Sequence, residues 1–233
     1  ILFFPNSSIR TRVTFEKGIH LLEGQPILFQ NEALDKKEDL RDVCGYLNNW
    51  ADVVVVRHRN IHILEQLAEY SRVPVINAMT DVNHPCDMYA LSKIRKDFIN
   101  DKYLFCGASG NIGLAWKEAS DAMGFKLSQC CGKGYEINGL MTYNSATEAI
   151  VGKDIICTDS LPSNVLADFR NCQITKEIMD MANIGAILNP CPPFYRGEEV
   201  SDDAIESNYF VGYEFKKYLL RVQQAVIVYC LLS

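Results

Sequence analysis

Val53-Val54-Val55-Val56-Arg57, the helical pattern of Asn60 to Ser71 and then Pro74-Val75-Ile76-Asn77 form the stretch that decides the fold. Four consecutive valines leave no polar face, which suits a strand covered on both sides. Ile63, Leu64, Leu67 and Ala68 recur at helical spacing in the segment that follows. A second short apolar run after that helix completes a strand–helix–strand unit, and its two strands must lie parallel.

The alternation continues outward from there. A helix is expected over Asp87 to Phe98, with Met88, Leu91 and Ile94 on one side. A strand follows at Tyr103 to Cys106, then the glycine-rich turn Gly107 to Gly113, a helix ending near Met123 and a strand at Lys126 to Cys131. Strands at Asp154 to Thr158 and Ala186 to Leu188 are separated by a helix over Thr175 to Ala182, and Tyr213 to Leu232 reads as one long helix. The polar step Ile99-Asn100-Asp101-Lys102 is the best place to divide the chain. The expectation is an α/β protein with two domains, each a parallel sheet flanked by helices: residues 1–99, residues 100–212, and a C-terminal helix over 213–233.

Composition narrows the function. The 233 residues are 48% hydrophobic and 22% charged, with a net charge of −6, an ordinary globular balance. No basic tract or aromatic-interleaved basic stripe occurs, so nucleic acid is not an expected partner. Nine cysteines, an odd number with no Cys-x-x-Cys pair, point to a reduced cytoplasmic protein without a structural zinc. No signal peptide is recognisable and no apolar run is long enough to cross a bilayer. The chain opens on an apolar segment without a methionine, so residues upstream are expected.

Ligands of open parallel sheets sit beyond the carboxyl ends of the strands. Ser8-Ile9-Arg10-Thr11-Arg12 lies at the start of a helix carrying Val13, Phe15, Ile19 and Leu22. Ser8 reads as its N-cap. Helix N–H groups, two guanidinium groups and two hydroxyls together suit a phosphate. The same five residues also fit an ordinary capped helix with solvated arginines, although cations there work against the helix dipole. Arg57 ends the valine run, His84 follows the next strand, and Gly107-Ala108-Ser109-Gly110-Asn111 follows the strand ending at Cys106. Asp159 and Ser163 follow Cys157, and Asn189-Pro190-Cys191-Pro192-Pro193 follows the last strand. Singly, each has a plain reading: an ion-paired arginine, a turn-shaping histidine, a tight strand–helix turn, a helix cap, a small buried thiol. The glycines are not spaced as in Gly-x-Gly-x-x-Gly. His58-Arg59-Asn60-Ile61-His62 reads as a solvated helix start with no role. What exceeds the plain readings is the gathering of polar residues at one end of two successive sheets.

At this point the residues resemble a family, the aspartate and ornithine transcarbamylases, and are closer to the ornithine branch. Phe4 followed by Ser8-x-Arg10-Thr11-Arg12 is similar to the carbamoyl-phosphate motif Ser-Thr-Arg-Thr-Arg. Leu21-Leu22-Glu23-Gly24 resembles the Leu-Gly-Gly that follows it, and Lys37-Glu38-Asp39-Leu40-Arg41-Asp42 resembles the Gly-Glu-Ser-x-x-Asp region. Pro74-Val75-Ile76-Asn77 with His84-Pro85-Cys86 resembles the strand and the His-Pro-x-Gln loop. Cys191-Pro192-Pro193-Phe194-Tyr195-Arg196-Gly197-Glu198-Glu199-Val200 resembles the His-Cys-Leu-Pro segment and the Arg-Gly-Glu-Glu-Val tail.

The resemblance implies carbamoyl transfer from carbamoyl phosphate to the amine of an ornithine-like amino acid, by a homotrimer or a multiple of trimers in arginine metabolism. It implies that the first domain binds carbamoyl phosphate, the second binds the amine, and the C-terminal helix packs back on the first. Ser8, Ile9 (through its backbone), Arg10 and Thr11 would hold the phosphate. Arg57, His84 and Thr11 would face the carbamoyl oxygen. Asn111, Asp159 and Ser163 would hold the α-amino and α-carboxylate groups, with Cys191 near the attacking amine. Arg57, His84 and Cys191 are thus the expected catalytic residues. No metal or other cofactor is required, because phosphate is already a good leaving group.

The chain departs from the pattern in places. Ile9 replaces a threonine, and Pro190 and Pro192 replace the histidine and leucine beside Cys191. Asp159-Ser160-Leu161-Pro162-Ser163-Asn164-Val165 lacks the Met-Gly pair of Asp-x-x-x-Ser-Met-Gly, and Leu219 stands for an arginine. The helix after His84 matches the family better with about four more residues between Cys86 and Asp87. The alternative reading is a catalytically weak paralogue that binds an anion as a regulatory or assembly module.

Overall fold

The computed structural model describes residues 1–90, 95 and 97–233, which fall into two compact units. The first comprises Ile1–Ala90 with Lys217–Ser233, and the second Leu91–Lys216. The sequence division had been placed at Ile99–Lys102.

The first unit holds β1 (Leu2–Phe3), α1 (Arg10–Leu21), β2 (Leu28–Phe29), α2 (Leu40–Leu47), β3 (Val54–Arg57), α3 (Ile61–Tyr70), β4 (Val75–Met79) and α4 (Pro85–Ala90). Its strands form one parallel sheet in the order β2-β1-β3-β4. Strand side chains alternate between faces, and the core divides accordingly. Leu2, Phe4, Val53, Val55, Ile76 and Ala78 pack on one face with Phe15 of α1. Phe3, Val54 and Val56 pack on the other with Leu40 and Cys44 of α2 and Leu64 and Leu67 of α3. The valine run is therefore covered on both sides, as its composition requires. Asp39 caps α2 by accepting from Arg41 N at 2.9 Å, and Asn60 caps α3 by accepting from His62 N at 3.0 Å.

The second unit holds β5 (Lys102–Cys106), α5 (Asn111–Met123), β6 (Lys126–Cys130), β7 (Met141–Tyr143), α6 (Ala146–Ala149), β8 (Ile155–Thr158), α7 (Lys176–Met179), β9 (Ile187–Pro190), α8 (Asp202–Ile205) and the start of α9 (Gly212–Leu232). Its parallel sheet runs β7-β6-β5-β8-β9. Tyr103 on β5 stacks on Phe125 with ring centroids 4.1 Å apart and tilts against Trp116 of α5 at 5.8 Å. Leu104, Cys106, Ile156 and Leu188 pack on the other face. Gly113 lets α5 lie close to the sheet: a Cβ there would sit 2.7 Å from both Ile137 Cδ1 and Phe105 Cε1. The glycine-rich turn is thus explained at Gly113 by close packing.

From Lys217 onward α9 belongs to the first unit. Gln224 Nε2 donates to Gly18 O of α1 at 3.0 Å, and Leu219 and Ile227 join the core around Phe15. The C-terminal helix does pack back on the first domain.

Several local expectations change. The buried residues of α1 are Thr11, Phe15 and Gly18, and Ile19 packs against the same core as Phe15, whereas Val13 is 58% exposed. Gly18 lies against Gln224 and Leu220 of α9, a contact that apolar spacing does not mark. The helix at Thr175 to Ala182 shrinks to Lys176–Met179, capped by Thr175 Oγ1. Of the helix expected over Asp87 to Phe98, the structure describes the part in α4, which passes through Cys86 and Asp87. Leu91 and Ile94 lie outside the described residues.

Candidate active site

In the first unit two of the expected anion-binding residues, Ser8 and Thr11, gather around Arg57 at the end of β3. Arg57 Nη1 donates to Ser8 Oγ at 2.9 Å and to Thr11 Oγ1 at 3.1 Å. Ser8 and Thr11 are buried, 2% and 4% exposed. Ser8 is therefore not the helix cap: Ile9 occupies that position, in helical geometry and without a side-chain cap. The serine hydroxyl is spent on the arginine of the neighbouring strand. The first intrahelical bond of α1 runs from Val13 N to Ile9 O at 3.2 Å. The N–H groups of Arg10, Thr11 and Arg12 precede it, and such groups have no intrahelical acceptor.

The two helix-start arginines separate. Arg12 Nε is held by Glu16 Oε1 at 2.6 Å, one turn along α1. Arg10 is exposed and makes no ion pair among the described residues. Arg57 is thus the cation bonded to the two hydroxyls, and of the two helix-start guanidinium groups Arg12 is paired within its own helix. Ile9 has an exposed side chain, and its N–H donates to Ser7 O at 3.0 Å.

His84 is buried in the loop between β4 and α4. That loop is drawn tight by Thr80, whose Oγ1 accepts from Val82 N and Asn83 N, both at 3.2 Å. Asn77 Nδ2 donates to Asn83 Oδ1 at 2.7 Å. These three residues fix the approach to His84, and sequence reasoning gave them no role.

In the second unit the expected residues follow the carboxyl ends of β5, β8 and β9. Asn111 opens α5. Asp159 follows β8, and its Oδ1 accepts from Ser160 N at 2.9 Å. Burial pushes its carboxyl up to about 6. Ser163 is exposed, two residues beyond the buried Leu161. Cys191 follows β9, half-buried, with its N–H on Thr158 O at 2.9 Å.

The second unit also holds polar atoms outside those expected site residues. Thr158 Oγ1, Asn189 Oδ1 and Glu199 Oε2 are buried and accept no hydrogen bond. The other Glu199 oxygen accepts from Tyr195 N at 2.8 Å. Burial, with smaller contributions from the charges of Glu198 and Asp159, raises the Glu199 carboxyl to about 7. Buried acceptors without donors are costly, and these three oxygens leave this part of the second unit short of donors. Nothing local in the sequence marks Glu199 as buried.

Two other expectations are settled. His58 is not solvated: it is 7% exposed, its Nε2 lies 3.0 Å from Asp35 Oδ1, and its Nδ1 accepts from Asn60 N at 3.1 Å. Leu219, where the resemblance places an arginine, is a core residue and brings no charge. Among the described residues no group of three or more His, Cys, Asp or Glu side chains is arranged to hold a metal ion. All nine cysteines are unbridged.

Comparison with known proteins agrees over nearly the whole chain. Residues 1–91 match the family model for the aspartate/ornithine carbamoyltransferase carbamoyl-P binding domain, and residues 100–230 match that for the Asp/Orn binding domain. The chain is 30% identical to the ornithine carbamoyltransferase of Desulfotalea psychrophila, over 97% of this chain and 84% of the relative. It is similar to the crystal structure of ornithine carbamoyltransferase from Burkholderia thailandensis, with 29% identity and a TM-score of 0.90 over 99% of this chain and 84% of that one. The enzyme from Pyrococcus furiosus gives 25% identity and a TM-score of 0.91 over 97% and 82%. With both of its domains matched in order, the chain belongs to the aspartate/ornithine carbamoyltransferase family.

Proposed function

We propose that this protein transfers a carbamoyl group from carbamoyl phosphate to the amine of ornithine or a close relative, releasing phosphate. The observation that carries the reading is Arg57 bridging Ser8 and Thr11 at the start of α1, in a chain of this family. Ser8, Arg10, Thr11 and the first N–H groups of α1 hold the phosphate, with the Ile9 backbone beside them. Arg57, His84 and Thr11 face the carbamoyl oxygen. Asn111, Asp159 and Ser163 hold the acceptor's α-amino and α-carboxylate groups, and Cys191 lies beside the attacking nitrogen.

The reaction follows from those roles. The neutral amine's lone pair attacks the carbamoyl carbon, and charge grows on the carbamoyl oxygen. Donors already aimed at that oxygen stabilise the charge without reorganising. The bond between carbon and the bridging phosphate oxygen then breaks, phosphate leaves with the electron pair, and the nitrogen's extra proton passes to it. Holding both reactants in place supplies much of the acceleration.

Residues 1–99 are the carbamoyl-phosphate domain in this reading, residues 100–212 the acceptor domain, and 213–233 the returning helix. The finer assignments are a homotrimer or a multiple of trimers, a place in arginine metabolism, and a cytoplasmic location. The last is supported by nine unbridged cysteines. Sedimentation equilibrium tests the trimer.

The decisive experiment is phosphate release from carbamoyl phosphate with ornithine, lysine, putrescine, aspartate and N-acylated ornithines. Release that depends on ornithine or a near analogue is expected. Binding of carbamoyl phosphate with no turnover for any amine would point instead to the anion-binding paralogue.

A further inference from the structure

Ser163 lines a cavity of about 460 Å³ within the second unit. Leu161, Leu166 and Phe169 give it apolar walls, and Arg170, Gln173 and Glu198 give it polar ones. Gln173 is committed, its Nε2 donating to Gly197 O at 2.8 Å and to Glu198 O at 2.9 Å. Arg170 sits on the 3-10 segment Leu166–Cys172, is exposed at the rim of the cavity, and is bound to nothing among the described residues. Other arginines of this unit are paired: Arg95 holds Asp101 through two bonds of 2.8 Å, and Arg196 holds Asp202 at 3.2 Å. Although Glu198 lines the same cavity, it forms no ion pair with Arg170.

The three acceptor residues are unbalanced in charge. An amino acid brings an ammonium and a carboxylate. Asp159 matches the ammonium, whereas Asn111 and Ser163 offer the carboxylate only neutral donors. A guanidinium offers a planar pair of donors shaped for that group. Resting on the carbamoyltransferase reading, we infer that Arg170 is a specificity-determining residue that receives the acceptor's α-carboxylate in the cavity beside Ser163. The cavity's size is in the range of small-molecule sites. The consequence is selectivity for amino-acid acceptors over simple diamines.

The test compares L-ornithine with putrescine, the same carbon chain without the carboxylate, in wild type, R170M and R170K. KM and kcat come from phosphate release, and affinity from calorimetry in the presence of carbamoyl phosphate. R170M should raise KM for ornithine by about 10- to 100-fold, the worth of a charge-assisted hydrogen bond, while kcat stays nearly constant. R170K should recover part of the loss, and putrescine should not distinguish the three proteins. Equal effects on both amines, or none on ornithine, would overturn the proposal while leaving the carbamoyltransferase reading intact. Failure of that reading looks different, with no phosphate release by wild type for any amine. Calorimetry then decides alone: ornithine binding weakened in R170M supports the carboxylate site, and equal or absent binding overturns it.

Discussion

The polar clusters of the two units are built on opposite logic. In the first, a cation and two hydroxyls are bonded to one another before any ligand arrives, with Arg57 holding Ser8 and Thr11. In the second, acceptors predominate: Asp159 and Glu199 are carboxylates raised by burial, and Thr158 and Asn189 have buried oxygens that accept nothing. In the proposed reading the first receives an anion, while the second is short of hydrogen-bond donors. The difference teaches how each charge is tolerated. A guanidinium has several donors and can satisfy hydroxyls while keeping N–H groups for a phosphate. Buried carboxylates lack compensation and respond by holding their protons more tightly.

Removing the central cation should break the comparison most severely. Arg57→Ala deletes the anchor of both hydroxyls and, in the proposed mechanism, a charged donor to the carbamoyl oxygen. Turnover should fall by about 100- to 1,000-fold, the typical cost of losing one oxyanion donor. Phosphate release at saturating ornithine checks this, and unchanged turnover would remove Arg57 from the mechanism. On the acceptor side, Asp159→Asn should weaken ornithine by about 10- to 100-fold in KM. The wild-type KM should also rise as the pH falls below about 6, where the Asp159 carboxyl takes up its proton. Loss of that rise in Asp159→Asn ties it to this residue, and persistence of the rise would assign it elsewhere.

The first cluster was far more legible than the second. Ser8 to Thr11 is contiguous, and the valine run announces the strand that delivers Arg57. What stayed hidden was long-range: the Ser8 hydroxyl caps nothing and instead meets an arginine 49 residues away. β1 and β2 were missed because two residues carry no period. Glu199 and His58 were missed because their burial is set by distant segments. His58 illustrates it: its partner Asp35 lies 23 residues earlier, in a stretch without a regular pattern.

A smaller effect separates packing from ligand binding in the glycine-rich turn. Gly113→Ala places a methyl 2.7 Å from Ile137 and Phe105. Overpacking of this kind costs about 1–3 kcal/mol, or about 2–4 °C in melting temperature for each kcal/mol in a chain of this size. KM for both substrates should stay near wild type. A changed ornithine KM at unchanged melting temperature would make the turn a ligand loop.

The mildest effect is a stability change that appears at one end of the pH range. Glu199 has a folded pKa of about 7, above the value of about 4.3 for an unhindered glutamate. The folded state therefore binds this proton more tightly than the unfolded chain does. Between those two values the native state carries more protons, so stability falls as pH rises and the loss is complete above about 7. Glu199→Gln keeps a carbonyl oxygen for Tyr195 N–H but cannot ionise. Melting curves should show the variant and wild type alike near pH 4, and the variant higher by a few degrees at pH 8. Asp159 and Glu198, whose charges bear on Glu199, remain in both proteins, so the difference isolates this one carboxyl. An equal or lower melting temperature for Glu199→Gln at pH 8 would mean that its buried oxygen is well accommodated as an anion. The contrast between a cluster bonded before its ligand arrives and one short of donors would then no longer hold.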